Sequence, residues 1–337
     1  MANPEEIARA LVAPGKGILA ADESSPTIAK RFASIDVEST ETNRRDYREL
    51  LFSTAGAEEF ISGVILYDET IRQEAADGGR LVDGLEKAGI IPGIKVDTGA
   101  KALAGSPEEK VTEGLDGLRD RLAEYRELGA RFAKWRAVIT IGDGIPSDYC
   151  LNTNAHALAR YAALCLEADV VPIVEPEVLM DGGHDIARCF EVTERTLTKV
   201  FGELHAQHVA LEQILLKPNM VLSGKDCPQQ ASVREVAEET LRCFRRTVPA
   251  AVPGIVFLSG GQSDELATAH LNEMNAIGNV PWELSFSYGR ALQAPTLKAW
   301  GGRSEQRAAA QDAFLHRARC NGAARSGGYS AEMEQAA

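Results

Sequence analysis

The residue in this sequence whose surroundings most clearly favour a chemical reaction is Lys217, which follows a fully apolar run. A strand built from Ile214–Leu216 would deliver the Lys217 amine to a place poor in water, where desolvation favours the neutral amine over the ammonium ion. A neutral amine can attack a ketone to form an imine, and the protonated imine draws electrons from the adjacent carbon–carbon bond. Taken alone, a lysine at a strand end is more often a surface residue with a buried stem.

Other charged residues stand near the ends of similar runs, some of them two positions apart. Side chains alternate between the two faces of a strand, so residues two apart share a face. One such pair alone is well explained by a salt bridge at the surface. A larger set favours one shared pocket, because unpaired charges inside a fold are costly. The set is Asp22, Lys95, Lys134, Arg136, Glu175, Glu177, Lys217 and Arg290.

Carboxyl groups near Lys217 would carry the protons that imine formation moves. Glu175 is the preferred candidate, and Glu177 lies on the same face of the predicted strand. Lys134 would act as a nearby cation that further favours the neutral amine of Lys217.

Small residues and an arginine follow the last two apolar runs. The segments are 259–263 (SGGQS) and 286–292 (FSYGRAL), each before a predicted helix. Backbone amides at helix starts bind anions, and an arginine adds bidentate hydrogen bonds to a phosphate group. The glycines alone are equally well explained by tight turns. The candidate phosphate contacts are Ser259, Gly260, Gly289 and Arg290.

A second phosphate site is predicted after the first apolar run, at the segment 22–27 (DESSPT). Ser24 and Thr27 would supply hydroxyl groups before a helix with Pro26 in its first turn, and Lys95 would supply charge. The alternative is that Ser24 or Ser25 is a plain helix N-cap.

The sequence also predicts the scaffold that positions these residues. Eight β-rich runs recur about every 38 residues, which is long enough for a parallel β/α unit. We therefore predict an α/β fold, a (β/α)8 TIM barrel, in preference to an open doubly wound sheet, whose G-x-G-x-x-G signature is absent after the first run. The runs are Ile18–Ala21, Gly63–Tyr67, Ile91–Val96, Phe132–Ile139, Val170–Val174, Ile214–Leu216, Ile255–Leu258 and Trp282–Phe286.

Helical spacing occurs between the runs, as at Gly114–Leu128, Asp185–Leu204 and Ser232–Arg246. Ser232 followed by Glu235 is typical of a capping box. We expect one barrel domain over residues 1–320 and a flexible tail over residues 321–337, which are small and polar.

Composition excludes several classes of function. The formal net charge of −13 is unfavourable for binding nucleic acid. Six scattered cysteines form no C-x-x-C pair, which favours reduced thiols. No signal peptide or membrane span is visible, so we expect a cytoplasmic protein. His205 and His208 have no evident third ligand, so we expect neither a metal nor a cofactor.

Seven motifs taken together resemble class I fructose-1,6-bisphosphate aldolase. They are GKGILAADES (15–24), GIKVD (93–97), AKWR (133–136), PIVEPE (172–177), LLKPNM (215–220), LSGGQS (258–263) and SYGRALQ (287–293). The resemblance implies a barrel, a homotetramer, and reversible cleavage of fructose 1,6-bisphosphate to dihydroxyacetone phosphate and glyceraldehyde 3-phosphate in glycolysis and gluconeogenesis. Sugar phosphates would be its ligands, with no nucleic acid or membrane partner.

The resemblance also implies residue roles. Lys217 is similar to the imine-forming lysine, and Glu175 to the acid and base of imine formation, assisted by Glu177 and Lys134. Asp22 is similar to the residue that handles the C4 hydroxyl. The C1-phosphate contacts would be Ser259, Gly260, Gly289 and Arg290, whereas Ser24, Thr27 and Lys95 would lie near the other phosphate and Arg136 would also bind substrate.

Some positions depart from the family pattern. The sequence ends in Ala337 rather than in the tyrosine typical of animal members, Pro26 replaces a glycine, and Thr98 replaces a lysine. Use of sedoheptulose 1,7-bisphosphate or fructose 1-phosphate, and the direction of the reaction in the cell, stay open. Two other functions are considered: an isomerase of triose phosphates that needs no imine, and a non-catalytic barrel that serves as a scaffold.

Overall fold

The structure, a computed structural model, describes residues 3–335. Over that range the chain forms ten β-strands, numbered here in chain order. They are β1 (Gly17–Ala20), β2 (Ile61–Leu66), β3 (Ile91–Lys95), β4 (Gly99–Leu103), β5 (Ser106–Glu113), β6 (Phe132–Ile139), β7 (Val171–Val178), β8 (Leu215–Leu216), β9 (Gly254–Phe257) and β10 (Glu283–Tyr288).

Twelve α-helices are found in the same residues. They are α1 (Pro4–Leu11), α2 (Ser25–Ala33), α3 (Glu41–Phe52), α4 (Asp68–Arg72), α5 (Leu81–Lys87), α6 (Leu118–Glu127), α7 (Asp148–Glu167), α8 (Ile186–Ala206), α9 (Val233–Thr247), α10 (Asp264–Ile277), α11 (Arg290–Trp300) and α12 (Arg307–Ala324). Short 3-10 helices occur at Ala57–Glu59, Leu211–Gln213, Ser304–Gln306 and Ala331–Gln335. None of the described helices is both long and apolar enough to span a bilayer.

Eight parallel strands close into a barrel, which confirms the predicted fold class. Around the barrel the order is β1, β10, β9, β8, β7, β6, β3 and β2. Each predicted run matches one barrel strand. β7 continues to Val178 and β10 to Tyr288, so both strands extend beyond the predicted runs, and Glu175 and Glu177 lie within β7. Proline and charge at the end of a run concealed the true strand length.

The floor of the barrel is apolar. Ile18, Phe132, Ile173 and Leu215 belong to one buried cluster inside the barrel. Ile7 and Leu11 of α1 join the same cluster, so this helix closes the amino-terminal end of the barrel. Close packing of this kind gives the strands little freedom to shift. The floor therefore provides a rigid base for any residue one layer above it.

A two-stranded hairpin between β3 and α6 was not predicted. β4 and β5 pair in an antiparallel manner outside the barrel. β4 (GAKAL) consists mainly of small residues and β5 (SPEEKVTE) is mainly polar, so neither has the hydrophobic periodicity that identifies a strand. The predicted helix at Gly114–Leu128 begins only at Leu118, since Gly114 and Gly117 adopt positive φ values of 126° and 66°. The chain turns there before the helix begins.

The barrel is closed where its first and last strands meet. β1 and β10 pair at Ile18 with Ser287 and at Leu19 with Tyr288. Arg325, which follows α12, is buried and donates to the backbone carbonyls of Lys16 and Val12 at 2.9 and 2.6 Å. It also donates to the Leu284 carbonyl of β10. One side chain thus links both sides of this seam.

The end of the described chain packs on the barrel helices. Helix α12 runs through Ala324 and crosses the predicted boundary at residue 321. Tyr329 packs against the core and its amide donates to Asn272 Oδ1 at 2.8 Å. The division into a barrel over 1–320 and a flexible tail over 321–337 stays a prediction. Ala337, which stands where animal members of the family have a tyrosine, lies outside the described residues.

We predict that Gly93→Ala destabilises the barrel floor. A Cβ at position 93 would lie 2.3 Å from the ring of Phe132, and overpacking of this kind costs about 1–3 kcal/mol. Chemical unfolding monitored by circular dichroism should show an earlier midpoint. The matched control is Gly84→Ala in α5, where a Cβ has nothing within 4 Å. An unchanged midpoint for the first variant would contradict the tight packing of the floor.

Candidate active site

A cavity of about 1150 Å³ opens at the carboxyl ends of the barrel strands. The structure brings every predicted site residue to its lining. These residues are Asp22, Ser24, Thr27, Lys95, Lys134, Arg136, Glu175, Glu177, Lys217, Ser259, Gly260, Gly289 and Arg290.

Alternation along the strands explains why the charges face the cavity. Phe132, Ile173 and Leu215 form part of the apolar floor. Two residues further along each strand, on the same face, stand Lys134, Glu175 and Lys217. The charged layer thus lies directly above the apolar layer in three neighbouring strands. β8 is only two residues long, but the Lys217 amide donates to the Val174 carbonyl at 2.8 Å, which fixes the backbone of this lysine.

Glu175 lies between two lysines. Its Oε1 is 3.2 Å from Lys217 Nζ, and its Oε2 is 3.2 Å from Lys134 Nζ. Lys134 Nζ is also 2.8 Å from Asp22 Oδ2. The side chains of Lys217, Glu175 and Lys134 are at most 5% exposed. Two buried cations and two carboxylates therefore form one continuous network, whose members offset one another's desolvation.

The network shifts two pKa values through opposing effects. Burial alone would raise the pKa of Asp22, but Lys134 and Lys217 outweigh burial and hold it well below its usual range. Burial alone would lower the pKa of Lys134, but Asp22 and Glu175 raise it above its usual value. Asp22 is thus a carboxylate and Lys134 an ammonium ion at neutral pH. Lys134 is therefore suited to electrostatic support rather than to attack on a carbonyl.

A second ion pair lies two residues further along β6 and β7, above the network of Lys134 and Glu175. Arg136 Nε donates to Glu177 Oε2. Burial lowers the pKa of the Arg136 guanidinium, but Glu177 outweighs this and raises it above its usual value. The Arg136 side chain is 42% exposed, in contrast to 8% for Glu177. The guanidinium is consequently open to an anionic ligand in the cavity.

The loops after β9 and β10 are joined by a hydrogen bond. Arg290 at the start of α11 donates through Nη2 to the Gly260 carbonyl. Gly260 has a φ of 55°, a left-handed conformation that a glycine adopts without strain. Gln262 donates to the Ser259 carbonyl at 3.1 Å and so closes the turn. Exposed guanidinium and glycine backbone beside a helix start can bind a phosphate group.

The second predicted phosphate site lies across the cavity at the start of α2. Ser24 is the N-cap residue, yet its side chain makes no capping hydrogen bond. Its Oγ is instead 3.1 Å from Thr27 Oγ1. Lys95 Nζ contacts Asp97 Oδ1 at 2.6 Å, so its charge is shared with a carboxylate. Both hydroxyl groups remain exposed to a ligand in the cavity.

Three residues that sequence reasoning did not assign also line the cavity. Arg31 lies one helical turn after Thr27 and pairs with Glu23, and this spacing on one helix face could have indicated it. Asp97 accepts from Lys95 and from the Arg136 amide. Ser287 Oγ is buried with no hydrogen-bond partner among the described residues. No local signal distinguishes the last two from ordinary strand-end residues.

Comparison with known proteins gives one consistent result. The family model for fructose-bisphosphate aldolase class-I matches residues 4–337. A Xanthomonas axonopodis pv. citri protein named "Probable fructose-bisphosphate aldolase class 1" is 61% identical over 320 residues, 95% of this chain and 96% of that protein. "Fructose-bisphosphate aldolase 4, cytosolic" of Arabidopsis thaliana is 56% identical over 95% of this chain and 82% of its own length.

A solved structure of fructose-bisphosphate aldolase from Plasmodium falciparum is similar to this barrel. Its TM-score is 0.96 at 50% identity, and the match covers 97% of this chain and 95% of that one. Agreement in fold, in sequence and over nearly the full length leads to a single family assignment. The chain belongs to the class I fructose-bisphosphate aldolases.

Proposed function

We propose that this protein reversibly cleaves fructose 1,6-bisphosphate to dihydroxyacetone phosphate and glyceraldehyde 3-phosphate through an imine on Lys217. The observation that carries the proposal is the 3.2 Å separation between the buried Lys217 amine and the buried Glu175 carboxylate, at the mouth of the barrel. Neither a simple isomerase nor a scaffold needs a buried amine beside a proton carrier. The reaction belongs to glycolysis and gluconeogenesis.

Imine formation begins with loss of a proton from Lys217, for which Glu175 Oε1 is the adjacent acceptor. The neutral amine adds to the C2 ketone to give a carbinolamine. Glu175 then returns a proton to the departing hydroxyl, which leaves as water, and a protonated imine remains. Glu175 Oε2 is buried and lies 3.2 Å from Lys134 Nζ, whose positive charge supports the carboxylate during these proton transfers.

Cleavage of the C3–C4 bond requires a base at the C4 hydroxyl. Asp22 is ionised and lies 2.8 Å from Lys134, at the rim of the same network. It accepts the C4 hydroxyl proton while the bonding electrons move into the protonated imine, which becomes an enamine. The aldehyde product leaves first. Protonation of the enamine carbon and addition of one water then release the ketone and restore Lys217.

Two anionic ends of the substrate fit the two sides of the cavity. Ser259, Gly260, Gly289 and Arg290 would bind the C1 phosphate, and Ser24, Thr27 and Lys95 would lie near the other phosphate. Arg136 would contact the sugar between them. A seven-carbon bisphosphate has the same two charged ends, and fructose 1-phosphate has one of them. The proposal therefore includes these sugars as further substrates.

The proposal extends to assembly and location. A homotetramer follows from family membership alone, and it stays a prediction. Relatives named as cytosolic isozymes of Arabidopsis thaliana support a cytoplasmic location.

Borohydride reduction in the presence of dihydroxyacetone phosphate should attach the substrate carbon skeleton to Lys217, because borohydride reduces the imine to a stable amine. Peptide mass spectrometry locates the modified residue. Lys217→Met should lose both the label and cleavage activity, whereas Lys298→Met, at an exposed lysine of α11, should keep both. Labelling of another lysine, or full activity of Lys217→Met, would refute the imine mechanism.

Asp22→Asn should lower the free energy of unfolding at neutral pH by about 3–5 kcal/mol, because it removes one partner of a buried pair. The pKa of Asp22 lies below its usual value of 3.8 in the folded state. Its contribution is therefore present above pH 3.8 and is lost as the pH falls through the folded pKa. Urea unfolding at several pH values should show the wild-type advantage shrinking in acid. The charge-matched control is Asp312→Asn, at an exposed position of α12. An equal, pH-independent effect of both variants would contradict the network.

Arg290→Ala should weaken recognition of the C1 phosphate. Loss of hydrogen bonds to a charged group costs about 1.5–3 kcal/mol, or roughly 10- to 100-fold in kcat/KM. Steady-state kinetics should place most of the change in KM. Arg303→Ala, at an exposed arginine after α11, is the control. A normal KM for Arg290→Ala would exclude this residue as a phosphate contact.

A further inference from the structure

Three potential metal ligands meet outside the cavity, where the end of the described chain packs on α12. His316 and Cys320 are four residues apart and share one face of this helix. Glu334 reaches them from the 3-10 helix Ala331–Gln335. The ligand atoms of all three residues lie within 4.8 Å of one another, and no other such group of three was found within residues 3–335.

The distances match those of a tetrahedral site. His316 Nε2 is 3.4 Å from Glu334 Oε2 and 3.7 Å from Cys320 Sγ. Ligands at the Zn–N, Zn–O and Zn–S bond lengths of a tetrahedral zinc ion are separated by about 3.3–3.6 Å. A zinc ion could therefore be bound here with side-chain adjustments alone.

We propose that His316, Cys320 and Glu334 form a zinc site that fastens the segment 331–335 to α12. The fourth ligand would be water, since His316 and Glu334 are 17% and 16% exposed. The sequence predicted no metal site, because Glu334 is brought to the other two only by the packing of the chain end. The site is structural, since none of the three residues lines the catalytic cavity.

Neighbouring groups determine which atom of Glu334 binds the metal. Arg317 Nη1 and the Tyr329 hydroxyl, the latter at 2.9 Å, both donate to Glu334 Oε1. Oε2 consequently faces His316, at 3.4 Å from its Nε2. The Arg317 guanidinium opposes a cation, but the carboxylate and a thiolate carry two negative charges against it. Hydrogen bonds to a ligating carboxylate orient it and are a usual feature of metal sites.

The thiol must lose its proton when the metal binds. Zinc binds the thiolate form of cysteine, so each ion that binds at Cys320 should release the thiol proton. The proposal thus gives a spectroscopic, a calorimetric and a stability signal that do not involve the catalytic reaction.

The test uses the full chain, reduced and stripped of metal, titrated with Co²⁺ and then with Zn²⁺. We expect one Co²⁺ per chain with a thiolate-to-cobalt charge-transfer band, its displacement by Zn²⁺, and a higher thermal unfolding midpoint with Zn²⁺. Cys320→Ser should lose the band. The matched control, Cys227→Ser, removes a half-buried cysteine distant in sequence and should retain it.

A second variant distinguishes ligation from misfolding. Tyr329→Phe leaves the three ligands in place but removes one hydrogen bond to Glu334, and it should weaken Zn²⁺ binding about tenfold. Absence of the band in wild-type protein, its persistence in Cys320→Ser, or its loss in Cys227→Ser would overturn the proposal. Because no substrate is present, the result is independent of whether Lys217 forms an imine.

Discussion

The rest of the site depends on one carboxylate held between two buried lysines. Glu175 contacts Lys217 through one oxygen and Lys134 through the other, and Asp22 completes a set of two positive and two negative charges. Removing such charges from water is expensive, and only mutual pairing makes their burial tolerable. Within the set, Lys134 is held as an ammonium ion by two carboxylates. Lys217 contacts only Glu175 among the described carboxylates, so a single proton transfer prepares it for attack.

This arrangement needs a support that does not yield, because catalytic geometry is sensitive to displacements of well under 1 Å. The apolar floor supplies it. Phe132, Ile173 and Leu215 pack beneath the three charged residues, and α1 closes the space below them. Because side chains alternate between the two faces of a strand, the residue two positions after each floor residue faces the cavity. In each of these strands the residue that packs the core and the charged residue of the site are thus two positions apart.

Much of this was accessible from the sequence, for identifiable reasons. Repeated apolar runs indicated the barrel, and strand-end charges such as Lys217 and Arg290 indicated the cavity, because both signals are local and repeat along the chain. The β4–β5 hairpin was not predicted because its residues, small in β4 and mainly polar in β5, do not alternate between apolar and polar. Asp97 and Ser287 lack a distinctive local pattern, whereas the position of Arg31 one helical turn after Thr27 is a signal that sequence reasoning did not use. The proximity of Cys320 and Glu334 results from tertiary packing, and no local sequence pattern indicates it.

The seam between β1 and β10 bears on how the chain is made. β1 is synthesised well before β10, one of its two neighbours in the barrel, which ends at Tyr288. Until then its outer edge has unpaired backbone groups, which can associate with other chains. Arg325 bonds across the two sides of this junction only after α11 and α12 have also been synthesised. Nascent chains that stop short of that point would therefore expose an open sheet edge, and these are the species that chaperones would need to protect during translation.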